Sequence, residues 1–323
     1  MNQSPILEVQ DLQTYFFTRT GVVKAVDGVS FSLHPGETLG IVGESGCGKS
    51  MTALSIMGLV PQPAGRIVGG KVLLEGVDLV QKSQAEMQHI RGREICMILQ
   101  DPMTSLNPVY TVGNQLIETL RMAKGMGLKG LRDRAIEALG NVKIASPESR
   151  IASFPHQMSG GMRQRVVGAI AIAGVPKVLI ADEATTSLDA TIQLQYLQLL
   201  KDLQAETGLS IIFITHDFGI VAKMCDRVAV MYAGRIVENA DVRDLFNNPS
   251  HPYTEALIRS VPNVDEDVET LYSIEGQPPA LDQLPEGCTF APRCPYAFEK
   301  CLGEFPSRMS VSDNHYATCW RLE

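Results

Sequence analysis

Three observations predict an α/β nucleotide-binding fold with a helical insertion and a small cysteine-rich tail. Short apolar and β-branched runs alternate with turns in the N-terminal part. Gly43 to Ser50 spells a phosphate-loop pattern between a strand-like and a helix-like run. Four of the seven cysteines crowd together near the C-terminus.

Residues 6–9, 24–26, 29–33 and 38–42 read as strands, and Pro35-Gly36 marks the turn before the last of them. Residues 50–59 read as a helix, with Met51, Leu54 and Met57 on one face. Residues 72–74 and 94–99 are further strand candidates. Between about 104 and 174 the texture turns helical, with three-to-four spacing of apolar residues over 112–124 and 131–142. Strand signals return at 178–181, 210–215, 227–232 and 235–238. The pattern is an α/β core interrupted by a helical segment. After Phe246 the chain becomes turn-rich, with a short helix expected at 253–260, an acidic linker at 264–269, and a Pro-, Gly- and Cys-rich tail from Gln277. The expected division is therefore 1–246, with its helical subdomain at about 104–174, and 247–323.

Composition narrows the function. The 323-residue chain carries 28 Lys and Arg against 36 Asp and Glu, a net charge of −8, which argues against nucleic acid as the main partner. The longest apolar run, 166–175, is far short of the ~20 residues that span a bilayer. The N-terminus shows no basic region and no apolar signal core. A soluble cytosolic chain or a peripheral subunit is expected.

Gly43-Glu44-Ser45-Gly46-Cys47-Gly48-Lys49-Ser50 matches the pattern G-x4-G-K-[ST]. Glycines let successive backbone N–H groups turn toward phosphate oxygens, and a helix N-terminus adds partial positive charge. Lys49 is expected on the β- and γ-phosphates, and the Ser50 hydroxyl on Mg²⁺. The apolar run 178–181 ends in Asp182-Glu183. Asp182 is the expected Mg²⁺ carboxylate, and Glu183 the group that orients or deprotonates the attacking water. Ser159-Gly160-Gly161 opens another helix. It reads either as an ordinary Ser cap or as a second phosphate device serving a neighbouring subunit's nucleotide.

In this order, over roughly residues 6 to 246, these segments resemble the ATP-binding cassette ATPases, the nucleotide-binding subunits of ABC transporters. The resemblance implies a P-loop core with an antiparallel β subdomain and a helical insertion. It implies that Gly43, Glu44, Ser45, Gly46, Cys47, Gly48, Lys49, Ser50 and Met51 surround ATP, with Phe16 stacking on adenine and Tyr15 or Phe17 as substitutes. Gln100 matches the glutamine that reaches Mg²⁺ and the attacking water. Ser159, Gly160 and Gly161 match the signature motif, Asp189 the D-loop, and His216 the switch histidine. Met162 stands where many members have Gln, and Ala184 where many have Pro; both departures leave the phosphate-facing residues in place.

Met103 to Pro108 and His251-Pro252-Tyr253-Thr254 resemble the dipeptide/oligopeptide importer class. The step from Ser50 to Met51 resembles its "D" ATPase more than the "F" partner. The implied assembly is a head-to-tail pair with a second, F-type ATPase, two membrane permease subunits, and an extracytoplasmic solute-binding protein. It sits at the cytoplasmic face of a prokaryotic membrane. Importers of nickel or other small solutes belong to the same class. A non-transport ABC ATPase of DNA repair or translation is the reading from another class, opposed by the single cassette, the absent heptad run and the acidic charge.

The spacing Cys288-x5-Cys294-x6-Cys301-x17-Cys319 contains no C-x2-C pair of the kind zinc ribbons favour. Uneven, wider spacing suits a larger cluster. In related importer ATPases such a tail holds a [4Fe–4S] cluster, which the resemblance implies here; Zn²⁺ and metal-free thiols remain alternatives. Nucleotide binding is expected to be independent of this tail.

Overall fold

The structure is a computed structural model that describes residues 4–99, 105–124, 130–186, 188–261 and 272–323. The chain divides into two compact units. One is chiefly Lys82–Phe213; the other comprises Leu7–Leu33, Thr38–Gln81 and Ile214–Glu323.

The first unit holds strands β6 (Ile95–Ile98), β7 (Val178–Asp182) and all but the last residue of β8 (Ser210–Ile214). β6 and β7 pair in parallel, and every residue of β7 and β8 is buried. Such unbroken burial is what a parallel strand covered on both faces requires, and it explains why these strands read as continuous apolar runs. Helices α3 (Val112–Lys124) and α4 (Leu131–Asn141) form the insertion. Val112, Leu116 and Leu120 are buried on α3, and Leu131, Ala135 and Leu139 on α4, each a four-residue repeat that makes one apolar stripe. α6 (Gly160–Ile172) and α7 (Ala190–Thr207) complete the unit. The sequence reading omits α7, although Asp189 caps it and Tyr196, Leu199 and Leu200 supply its buried stripe.

The second unit contains a four-stranded antiparallel sheet in the order β2 (Val22–Leu33), β1 (Leu7–Phe17), β4 (Gly65–Leu74), β5 (Val77–Asp78). The expected strands at 6–9, 24–26 and 29–33 are parts of two longer strands, carried through bulged register shifts that interrupt the alternation. The same unit holds β3 (Thr38–Val42), which runs parallel to β9 (Arg227–Tyr232); β9 pairs antiparallel with β10 (Arg235–Asp241). The tail adds β12 (His315–Ala317) to β10, and β11 (Met309–Ser312) to β12. These two tail strands are too short and too polar to show period-two alternation, and the sequence reading does not find them.

A buried polar cluster fastens this tail. Glu238 on β10 accepts from the N–H groups of Ser250 and His251 at 2.7 and 2.9 Å, and its Oε1 lies 2.7 Å from Nε2 of His315. Helix α10 (Pro252–Arg259) starts with Pro at its first position, and His251 caps it by accepting Tyr253 N–H on Nδ1 at 3.1 Å. The His-Pro-Tyr-Thr segment is thus a helix-start device.

Burial, reinforced by the charge of Arg321, pushes the His251 imidazole down to about 3. The folded state therefore holds it neutral while the unfolded chain takes a proton near pH 6.5. Its stabilisation is complete above that pH and is lost as pH falls toward about 3. Thermal unfolding followed across pH 7 to roughly 4 should show a falling midpoint. His251→Asn, which keeps a capping oxygen, should flatten that dependence; an unchanged slope would remove His251 as its source.

Candidate nucleotide-binding site

β3 delivers the loop 43–48 directly to α1 (Lys49–Ile56). Two corners of that loop can only be glycine. Gly43 has φ +152°, and a Cβ there would meet the Met231 carbonyl oxygen at 2.2 Å. Gly48 has φ +109°, and its Cβ would meet the Ala25 carbonyl oxygen at 2.3 Å. The loop is therefore wedged against backbone on two sides, in a conformation that L side chains avoid. Gly48 is also the cap of α1 and makes no side-chain capping bond to that helix. A helix start without a side-chain cap is well suited to an anion.

Lys49 is buried and folds back over the loop. Its ammonium donates to the carbonyls of Gly43 and Glu44 at 2.8 and 2.9 Å. Cys47 is buried beside it, and that burial raises its thiol pKa. Glu44 is held differently from its neighbours. Its N–H donates to the Tyr253 hydroxyl at 2.8 Å, and its carboxylate takes two bonds from Arg293, at 2.7 and 3.0 Å. The tail thus reaches the loop, a link that lets it bear on the nucleotide site despite lying outside the cassette. His216 lies two residues past the end of β8 and is exposed.

Among the aromatic candidates, Tyr15 is committed. Its hydroxyl donates to Asp27 at 2.6 Å, and burial and that bond push it up to about 12. Phe17 is exposed, with the Arg66 guanidinium 4.6 Å from its ring centre. Phe16 is half-buried and lies so close to Gly65 that a Cβ there would meet its ring edge at 2.7 Å.

In the other unit, β7 ends on Asp182, which is 5% exposed. The next residue, Glu183, is held at φ +47°, a left-handed conformation that a glutamate adopts at a cost of about 1 kcal/mol. Strain at a carboxylate on the end of a buried strand marks a group whose direction matters. Thr186 N–H closes the turn on the Glu183 carbonyl at 3.2 Å, so Ala184 does not open it. Gln100, with Ser187 and residues 101–104, lies outside the described residues.

Ser159 caps α6 by accepting Met162 N–H at 3.3 Å, and Asp189 caps α7 by accepting from Thr191 and Ile192 at 3.1 and 3.0 Å. Ser159 is thus an ordinary cap by geometry, yet its surroundings are not ordinary. Ser159, Gly160, Gly161 and Asp189 line one open cavity of about 660 Å³ with Lys143, Arg150 and Arg165. These cations make the cavity suited to an anion. Lys143 and Arg150 escape the sequence reading because they belong to no motif and are gathered only by the fold.

The four tail cysteines line a single small cavity of about 20 Å³ with His251, Phe290 and Trp320. Burial pushes the Cys288 thiol up to about 11, and burial likewise raises Cys294 and Cys319. Among the described residues, no three His, Cys, Asp or Glu side chains are grouped so as to hold one metal ion. No described helix is long and apolar enough to cross a membrane.

Substituting Gly48 by Ala should force the loop off the Ala25 carbonyl. The expected result is loss of ATP binding and a drop in stability of about 2–3 kcal/mol, read by nucleotide titration and denaturant unfolding. Unchanged binding would contradict the loop geometry.

Residues 26–186 match the model of the ABC transporter family, and residues 237–301 match that of the oligopeptide/dipeptide transporter C-terminal region. The oligopeptide transport ATP-binding protein AppD of Bacillus subtilis is 50% identical over 99% of this chain and 98% of its own length. The dipeptide transport ATP-binding protein DppD of the same organism is 50% identical over 98% of this chain and 94% of its own. Among solved structures, the ATP-binding cassette MJ0796, a dimer in a post-hydrolysis state bound to ADP and Pi, superposes with a TM-score of 0.66. It is 26% identical and covers 73% of this chain and 99% of its own. With buried strands leading to a glycine-cornered loop and to a strained carboxylate, and with likeness along nearly its whole length, the chain belongs to the ATP-binding subunits of the oligopeptide/dipeptide ABC transporter family.

Proposed function

We propose that this chain is the ATP-hydrolysing subunit of an importer of di- and oligopeptides, peripheral to the cytoplasmic face of a prokaryotic membrane. The observation that carries the reading is the wedged loop 43–48 opening onto an α1 N-terminus that no side chain caps. Phosphate oxygens take the place of the Gly43 and Glu44 carbonyls at the Lys49 ammonium. The amides from Ser45 onward hold the phosphate chain, and the half-buried Phe16 serves adenine. Ser50, Asp182 and Gln100 are each assigned to Mg²⁺ from sequence; such an ion would neutralise charge on the β- and γ-phosphates. Glu183 receives the proton of the attacking water, and His216 orients the γ-phosphate side.

The cation-rimmed cavity at Ser159 serves the γ-phosphate of a second cassette, here taken to be an F-type paralogue. Two permease subunits and a solute-binding protein complete the assembly. A turn just after the undescribed residues suits permease docking. Gln115 ties it together by accepting Asn107 N–H at 3.0 Å and donating to the carbonyls of Asn107 and Tyr110 at 3.0 and 3.2 Å. Val109 and Tyr110 are left 71% and 52% exposed on it, a rigid apolar tip.

We infer further that Cys288, Cys294, Cys301 and Cys319 hold a [4Fe–4S] cluster, with Zn²⁺ as the alternative. The support is that all four cysteines line one cavity, although their present spacing does not yet group three of them around one ion. The cavity has room for about one water, so it must widen around a cluster. The cluster's part is to staple a segment with little core of its own.

Glu183→Gln should retain ATP and lose nearly all hydrolysis, since an amide cannot take the proton. Phosphate release near the wild-type rate would remove Glu183 from that role. Protein purified without oxygen should be brown, with broad absorption at roughly 400 nm and about four irons per chain. A colourless protein with one bound zinc would select the alternative, and one without metal would remove both.

A further inference from the structure

The polar groups of Glu44 are all engaged, and the tail supplies half of the engagement. The Glu44 carbonyl accepts from Lys49 Nζ at 2.9 Å and from Cys47 N–H at 3.3 Å, both within the loop. Its N–H and its carboxylate go instead to Tyr253 and Arg293. The Arg293 side chain is only 4% exposed, against 26% for Glu44. Its Nε also donates to the Glu275 carbonyl at 2.9 Å, which fixes the guanidinium plane. Burial works against the guanidinium charge, and the bonds to Glu44 and Tyr232 more than restore it, leaving Arg293 firmly protonated. Tyr253 is fully buried, its ring 4.5 Å from that of Tyr232 and 5.3 Å from that of Phe290. Both contacts are therefore rigid, and both arise outside the loop. Arg293 directly precedes Cys294, one of the four clustered thiols, and Tyr253 sits in the first turn of α10.

We propose that Arg293, assisted by Tyr253, is a positioning residue for the nucleotide loop. Its two-pronged hold on Glu44 fixes the backbone that receives the ATP phosphates, so the C-terminal region sets ATP affinity. An arginine fork held by packing is suited to this task, because two parallel bonds to a carboxylate define a direction as well as a distance. The hold acts on the loop before ATP arrives, so its removal weakens binding more than turnover. The proposal rests on the reading that loop 43–50 is the phosphate site.

The test uses the full-length chain, with ATP affinity from titration and turnover at saturating ATP. Four variants are compared: Arg293→Met, Arg293→Lys, Glu44→Gln, and Arg293→Met with Glu44→Gln. Losing a charge-assisted pair corresponds to a weakening of about tenfold in affinity for Arg293→Met and for Glu44→Gln, with turnover at saturation within about twofold for Arg293→Met. Arg293→Lys, which keeps the charge without the fork, should fall between. The double variant should be no weaker than the worse single variant, since both remove one link. Glu44→Gln breaks the link without touching the tail and so covers the case in which Arg293→Met misfolds the tail. Affinity within about twofold of wild type for Arg293→Met and Glu44→Gln, or effects that multiply in the double variant, would overturn the proposal. Lys49→Ala separates the two readings: if it binds ATP normally, the phosphate-site reading itself fails, whatever Arg293 does.

Discussion

The backbone has almost no room at Gly43 and Gly48, the two ends of the loop, and the rest of the candidate site depends on that. At Gly43 and Gly48 the chain passes within contact of the Met231 and Ala25 carbonyls, closer than any side chain permits. β3 is buried at every residue and cannot slide, and α1 begins immediately after the loop. The Lys49 ammonium, the Ser50 hydroxyl and the first-turn amides inherit their positions from this wedge. Catalysis of phosphoryl transfer is mostly placement and charge, so a loop that is fixed before the nucleotide arrives is the fold's largest contribution.

The fixing is shared between distant parts of the sequence. β9 and β2 supply the carbonyls that crowd the loop, and α10 and the cysteine-rich tail supply Tyr253 and Arg293. The tail is itself fastened by β12 on β10 and by the buried Glu238 with His315 and the amides of Ser250 and His251. A segment that reads as an appendage is therefore joined by hydrogen bonds to the loop that would hold phosphate. The other unit presents its own chemistry. It has a buried Asp182, a strained Glu183, and a cavity where the signature residues meet three cationic side chains.

Much of this was legible in the sequence where local chemistry dictates local structure. The loop needs its glycines, so its pattern announced it. The fully buried strands β3, β7 and β8 and the nearly buried β9 showed as apolar runs, and α3 matched its apolar period to the residue. What stayed hidden depends on contacts between residues far apart in the chain. The bulged β1 and β2 broke their alternation, so only fragments stood out. β11 and β12 exist because β10 offers them an edge, not because of their own composition. Arg293 carried no motif, and its partner Glu44 lies 249 positions away. Lys143 and Arg150 were unreadable for the same reason, since only the fold gathers them beside Ser159.

The central claim is that the loop of one cassette and the signature cavity of another share an ATP. Each unit carries part of the chemistry, and Lys143, Arg150 and Arg165 line the cavity beside Ser159. The most direct measurement is ATP hydrolysis per cassette at saturating ATP in an equimolar mixture of this chain and its proposed F-type partner, followed over a roughly hundredfold range of protein concentration, as expected when association limits activity. The account predicts that specific activity rises with concentration and then levels as cassettes pair. A specific activity that stays constant down to concentrations at which the chain sediments as a monomer would contradict it.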